Sequence, residues 1–181
     1  MTNKKTEKEI DDNSPKLEPF YTKDNGIILK LPREERYRLF GEVASLLMVS
    51  EFHRKYLIHD IGSVFFPPVH LNQFRIYKNK LKDPIALITW AFLSKEIEEK
   101  YLSQEYILKP QDWKSGNRIW FIDFLAPFGH MRQVSKDIKD NIFPNDCGKS
   151  VRVDSNGKIK GIYNWYGKNY RKNKKQTSKG E

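Results

Sequence analysis

The sequence predicts a single layered α/β (α+β) domain in which helices cover a central mixed sheet. Three observations carry that expectation. Segments with a helical apolar repeat alternate along the chain with segments that read as strands. The most apolar stretches, "IALITWAFL" (85–93) and "IWFIDFL" (119–125), hold a single charged residue between them, as expected of strands covered on both faces. A length of 181 residues with 13% aromatic content suffices for one domain with a core of its own.

Residues 1–30 are polar and mixed in charge, bury too little apolar surface to order themselves, and are expected to be disordered. The domain is expected over 31–166. It opens with a helix over 32–50, "PREERYRLFGEVASLLMVS", which puts Tyr37, Phe40, Val43, Ala44 and Leu47 on one face. Pro32 suits the first turn, and Glu34 and Glu35 suit the positive end of the helix dipole. The helix should end near Ser50, which leaves His53 just past its C-terminus. "LNQFRIYKN" (71–79) alternates as a strand with Leu71, Phe74 and Ile76 directed to the core, and "KLKDP" is a turn. "IALITWAFL" is a buried strand, and "SKEIEEKYLSQ" (94–104) is a helix capped by Ser94. "KSGNR" turns into the strand that begins "IWFIDFL". "RQVSKDIKDNIF" (132–143) is a helix with Val134, Ile138 and Ile142 on one face. "KSVRVDSNGKIKGIYNWY" (149–166) is a hairpin around Asn156-Gly157. Residues 167–181 form a basic polar tail, also expected to be disordered, and no internal repeat is visible.

The net charge of +10 calls for an acidic partner: a nucleic acid, an anionic membrane or an acidic protein. The one cysteine, Cys147, excludes an internal disulfide, argues against a cysteine zinc site and suits a reducing compartment. The N-terminal residues hold no apolar signal core, and the longest apolar run (84–93) is too short to span a bilayer. A soluble, cytoplasmic protein without stable membrane insertion is expected.

Two residues stand out as candidates for chemistry. Asp123 lies among Phe121, Ile122, Phe124 and Leu125. A carboxylate there either points away from the core or is held by a partner. In the functional reading it sits near the C-terminal end of a strand, where open sheets place their sites, and acts on an imidazole or a proton. His53, in "SEFHRKY" (50–56), is either a helix-end histidine bonded to the last carbonyls or a general base or nucleophile. Ser50 can hydrogen-bond the imidazole. It lacks the glycine elbow of a hydrolase nucleophile, so its role is a supporting one. His59, His70 and His130 show no metal-ligand spacing, so no metal is expected. Trp90, Trp113 and Trp120 should pack the core or line a groove. Neither a phosphate-binding glycine motif nor the turn with which many N-acetyltransferases cradle coenzyme A occurs.

Three motifs in series are more specific. "SEFHR", "PIALITWAFLS" and "DWKSGNRIWFIDFLAPFG" fit the patterns SxxHR, PxAxxxWAxLS and DWxSGxRxWFIDxxAPFG, and over roughly residues 38–155 the chain resembles the RTX toxin-activating lysine acyltransferases. The resemblance implies a fold like that of the Gcn5-related N-acyltransferases without their coenzyme A motif. It implies transfer of a fatty acyl group from acyl carrier protein, the donor substrate, to internal lysines of an RTX protoxin. It places the catalytic pair on His53 and Asp123, with Ser50 and Arg54 in support. It implies no bound cofactor, and it suggests a homodimer. The chemistry suits these residues. A thioester is already activated, but a lysine ammonium with a pKa of about 10.4 needs a base. His53 can take that proton or first accept the acyl group. The basic charge suits an acidic carrier protein.

The rival is a basic nucleic-acid-binding module, built on "RKNKK" and on Tyr163, Trp165, Tyr166 and Tyr170. No zinc-finger, RNP or helix-turn-helix signature supports it, so no nucleic acid is expected as a partner. A toxin chaperone without catalysis would leave His53 and Asp123 unexplained.

Overall fold

A computed structural model describes residues 18–19, 33–103, 105–154 and 158–170. Six strands lie side by side in chain order: β1 (Glu18–Pro19), β2 (Phe74–Lys78), β3 (Pro84–Leu93), β4 (Arg118–Leu125), β5 (Cys147–Val153) and β6 (Ile159–Tyr166). All neighbours are antiparallel except β4 and β5, which run parallel. The α-helices in chain order are α1 (Arg33–Val49), α2 (Ile58–Val64), α3 (Phe66–His70), α4 (Lys95–Leu102) and α5 (Met131–Asp137). A parallel pair needs a crossover, and α5 with the π-helical turn Ile138–Ile142 supplies it. The sheet is therefore mixed, with helices on both faces.

Helix α1 (Arg33–Val49) covers one face. Its Leu39, Val43, Leu46 and Leu47 pack on Phe74, Ile76, Leu87 and Leu125. Of the face expected, Val43 and Leu47 lie in this contact, while Tyr37 and Phe40 do not and Leu39 and Leu46 take their place. Tyr37 is exposed and Phe40 packs sideways on Phe66, with ring centroids 4.2 Å apart. The strand surface selects Leu39, Val43, Leu46 and Leu47, whose spacing of four, three and one residues fits a helix stripe as well. The crossover covers the other face, where Val134, Ile138 and Ile142 pack on Tyr77, Ile88, Trp90 and Phe121. A third cluster, with Trp113 and Trp120 at its centre, closes the end of the sheet beside α4 (Lys95–Leu102). Ser94 caps α4, its hydroxyl accepting the Ile97 N–H at 3.2 Å.

Because both faces are covered, β2 does not alternate: all five residues are buried. Its polar side chains are held by partners from the helices. Arg75 and Tyr77 donate to Asp137 at 2.6 and 2.7 Å, and Lys78 pairs with Glu42 of α1. Burial pushes the Asp137 carboxyl up, but hydrogen bonds from Asn141, Tyr77 and Arg75 outweigh it and hold the group below its ordinary value. Leu71, expected at the head of this strand, lies in the preceding turn and is half-buried against the third cluster.

The hairpin expected over 149–166 is β5–β6, antiparallel from Cys147↔Tyr166 to Val153↔Ile159; its tip at Asn156-Gly157 lies outside the described residues. Within 1–30, Glu18–Pro19 pair with β2, and the rest lies outside the described residues. Residues 167–170 are tied to the domain by the Lys168 and Asn169 N–H groups, which donate to Lys139 and Pro144 carbonyls; residues 171–181 lie outside the description. Among the described residues, no helix is long and apolar enough to cross a membrane.

Two features of β4 position the site. It pairs with β5 at only three positions, Ile119↔Gly148, Trp120↔Lys149 and Phe121↔Ser150. Gly148 permits the close approach, since a Cβ there would meet the Phe121 ring at 2.7 Å. Beyond Ser150 the two strands part. On its other side, β4 carries a bulge against β3: Ile88 pairs with Phe124 but Trp90 pairs with Phe121, so Ile122 and Asp123 together stand opposite Thr89.

Candidate active site

The helix that carries His53 ends where the apolar run ends. Ser50 N–H closes the last turn on Leu46 and Leu47, and the Arg54 N–H bonds back to the Ser50 carbonyl at 2.9 Å. This starts a 3-10 turn over His53–Lys55 that brings the imidazole under the sheet. His53 is only 8% exposed and is wedged edge-on between the Phe52 and Tyr56 rings, at centroid distances of 5.1 and 5.3 Å. Ser50 Oγ lies 2.7 Å from Nδ1, and Asp123 Oδ1 lies 3.5 Å from Nε2. Both ring nitrogens thus have a polar neighbour, Nδ1 in Ser50 and Nε2 in Asp123.

Asp123 reaches this side of the sheet because of the bulge. Phe121 packs on the α5 face. Strict alternation would send Asp123 to that face too, away from His53. The extra residue in β4 resets the phase. Asp123 then shares the α1 side with Leu125, while Phe124 points to the α5 side. Asp123 is 5% exposed, and Thr89 is fully buried beside it. The Thr89 hydroxyl accepts the Asp123 N–H at 3.1 Å and donates to Asp123 Oδ2 at 3.3 Å. Ser50, His53, Asp123 and Thr89 thus form one chain of polar contacts through an apolar interior.

The pair opens on a cavity of about 840 Å³. Its wall draws on both edges of the β4–β5 gap, with Ile122, Asp123 and Phe124 on one side and Ser150–Val153 on the other. The volume lies in the range that buries small organic ligands, and aromatic and aliphatic side chains dominate the lining. Trp113 and Trp165 belong to it, so one tryptophan expected as core or groove serves as both. Tyr56 and Tyr101 line the cavity close to Asp123. Burial first, and then the negative charge of Asp123, push both phenols well above their ordinary range. They keep their protons and can donate hydrogen bonds, but they cannot act as bases near neutral pH.

The structure therefore brings His53, Asp123 and Ser50 together. Arg54 follows His53 on the turn with its side chain exposed and is not part of the cavity wall. His59, beside Asp60, and His70, whose Nδ1 lies 3.0 Å from the Phe66 carbonyl, lie elsewhere. Thr89, Tyr56 and Tyr101 were missed by sequence reasoning. Thr89 carried a signal as the one hydroxyl in "PIALITWAFL", and Tyr56 ends "SEFHRKY"; Tyr101 carried none.

The family model described as HlyC, RTX toxin acyltransferase family, matches residues 33–166. The chain belongs to the RTX toxin acyltransferase family. This acyltransferase is 37% identical over 131 residues to the RTX-I toxin-activating lysine-acyltransferase ApxIC of Actinobacillus pleuropneumoniae, which covers 72% of this chain and 75% of ApxIC. It is 33% identical over 134 residues to the protein-lysine myristoyltransferase RtxC of Kingella kingae, covering 71% and 78% of the two chains. It is 32% identical over 129 residues to the protein-lysine myristoyltransferase HlyC of Escherichia coli, covering 71% and 75%.

Proposed function

We propose that this protein moves a fatty acyl group from acyl carrier protein to lysine side chains of an RTX protoxin, with His53 as base and Asp123 as its charge partner. The observation that carries the reading is the buried His53–Asp123 pair, 3.5 Å apart, opening on an apolar cavity. An apolar wall suits a lipid chain and excludes water that would hydrolyse a thioester. Two relatives are named protein-lysine myristoyltransferases, which favours an acyl group of that class. The net charge of +10 favours an acidic carrier as donor.

The transfer balances with these residues and solvent. The lysine ammonium gives a first proton to the imidazole, which releases it to solvent, and the free amine attacks the thioester carbonyl. A C–N bond forms, and the nitrogen of the adduct gives its second surplus proton to the imidazole. The C–S bond breaks as the adduct collapses to the amide, and the leaving thiolate takes up the proton that the imidazole then carries. Asp123 stabilises the imidazolium while it exists. Ser50 holds Nδ1 and so fixes the ring orientation.

The test is co-expression with a candidate RTX protoxin, followed by mass spectrometry of its lysines. The wild type should acylate them, and folded His53→Ala should not. Donors are compared in the purified reaction. Turnover with acyl-coenzyme A equal to that with the acyl carrier thioester would remove the carrier from the reading, and acylation by His53→Ala would remove the base.

A further inference from the structure

We infer that Thr89 is a positioning residue for acyl transfer: its hydroxyl, seated opposite the β4 bulge, orients the Asp123 carboxylate toward His53. The inference rests on the reading that His53 and Asp123 carry the transfer.

Thr89 is fully buried in a strand whose other side chains are apolar. A hydroxyl in such a place costs stability unless it is bonded. Packing alone would be met by valine, which has the same shape. The bulge explains the hydroxyl. An extra residue interrupts the β3–β4 ladder at Ile122 and Asp123, which frees the Asp123 N–H from a strand partner. Thr89 Oγ1 accepts that N–H at 3.1 Å. Its own proton then points to Asp123 Oδ2, 3.3 Å away. Backbone and side chain of Asp123 are thus held by one atom. With Oδ2 occupied, Oδ1 is the oxygen left to face His53 Nε2. The β-branched side chain makes the anchor stiff, because threonine has few χ1 choices in a strand. Removing the hydroxyl leaves the carboxylate free to rotate in the cavity wall and the Asp123 N–H without its acceptor. The cost should fall on the rate of transfer, since neither group needs to touch the substrate.

Thr89→Val removes the hydroxyl and keeps the shape; Thr89→Ser keeps the hydroxyl. Both are compared with wild type in acylation of a protoxin by an acyl carrier thioester, alone and in an Asp123→Asn background. Folding is followed by circular dichroism. Thr89→Val should lower kcat about tenfold or more with KM within about twofold, and Thr89→Ser should stay within about threefold of wild type. In the Asp123→Asn background, Thr89→Val should cost less than about twofold further, because the two residues act as one unit. If the valine variant does not fold, Thr89→Cys takes its place with the same expectations. Wild-type kcat in Thr89→Val, or an equal loss with and without the Asp123 charge, would overturn the inference while leaving the catalytic pair intact. Full activity of Asp123→Asn would instead overturn the reading on which it rests, and the inference with it.

Discussion

Replacing Glu98 with alanine should destabilise the protein by about 2–3 kcal/mol, and replacing it with glutamine by about 1 kcal/mol. Glu98 projects from α4 and is 8% exposed. Its Oε1 accepts the Trp120 Nε1–H at 2.8 Å and Lys149 Nζ at 2.8 Å, while Oε2 faces Arg118 Nε at 3.1 Å. It therefore clamps α4 to β4 and β5 at the pairs just before the two strands part. Alanine leaves the wholly buried indole N–H without an acceptor, a loss of about 1–3 kcal/mol. The two cations are 40% and 42% exposed and can turn to water, so each ion pair is worth only about 0.2–1 kcal/mol. Glutamine keeps an acceptor for the indole and loses the charge alone. Urea unfolding at neutral pH reads the difference directly. A thermal scan should show a fall in Tm of about 4–12 °C for alanine and about 2–4 °C for glutamine. Equal stability of the two variants would refute the reasoning, since the unsatisfied indole is what separates them. A second signature lies in the pH dependence. Burial raises the Glu98 carboxyl, but bonds from Lys149 and Trp120 and the charges of Lys149 and Arg118 outweigh it and hold it below its ordinary 4.5. The group thus stabilises the fold above that value, and the contribution is lost as pH falls through the depressed folded value. The glutamine variant should lack this acid-limb loss.

Gly116→Ala should cost at least about 2 kcal/mol by urea unfolding, because the added Cβ would lie 2.5 Å from the Leu93 carbonyl oxygen and 2.6 Å from the Ser94 backbone, which cannot yield as a side chain end would. A variant as stable as wild type would show that the turn into β4 moves freely. Ser50→Ala should retain transfer at about a tenth of the wild-type rate, the worth of one hydrogen bond to the imidazole, and peptide mapping of a quenched reaction should find no ester at Ser50 in the wild type. An acyl-Ser50 peptide would make the serine a nucleophile.

The longer elements were legible because their signals are local, whereas the short helices over Ile58–Val64 and Phe66–His70 were not read from the sequence. The stop of α1 at Val49 follows from the end of its apolar run, the Ser94 cap from one hydroxyl before a helical repeat, and the buried β3 from a charge-free stretch. His53 and Asp123 were legible through their motifs. Less legible was the side of each element that faces the core. Tyr37 and Leu39 compete for the buried stripe of α1, and only the shape of the sheet surface decides between them. Arg75 and Lys78 look like solvent positions in the sequence and are buried because Asp137 and Glu42 come down on them from opposite faces.

By itself the sequence determined that the chain is one mixed α/β domain, where most of its helices and strands begin and end, and which histidine and aspartate stand out. Periodicity, capping and turn chemistry act within a few residues, so one segment suffices to read them. Only the tertiary structure decided that these two residues meet. Their contact spans seventy positions of chain and depends on a bulge that turns Asp123 across the sheet, on Thr89 from the neighbouring strand and on a 3-10 turn beyond α1. The bulge arises from how two strands register against each other, which is a property of the pair and is not written in either strand alone.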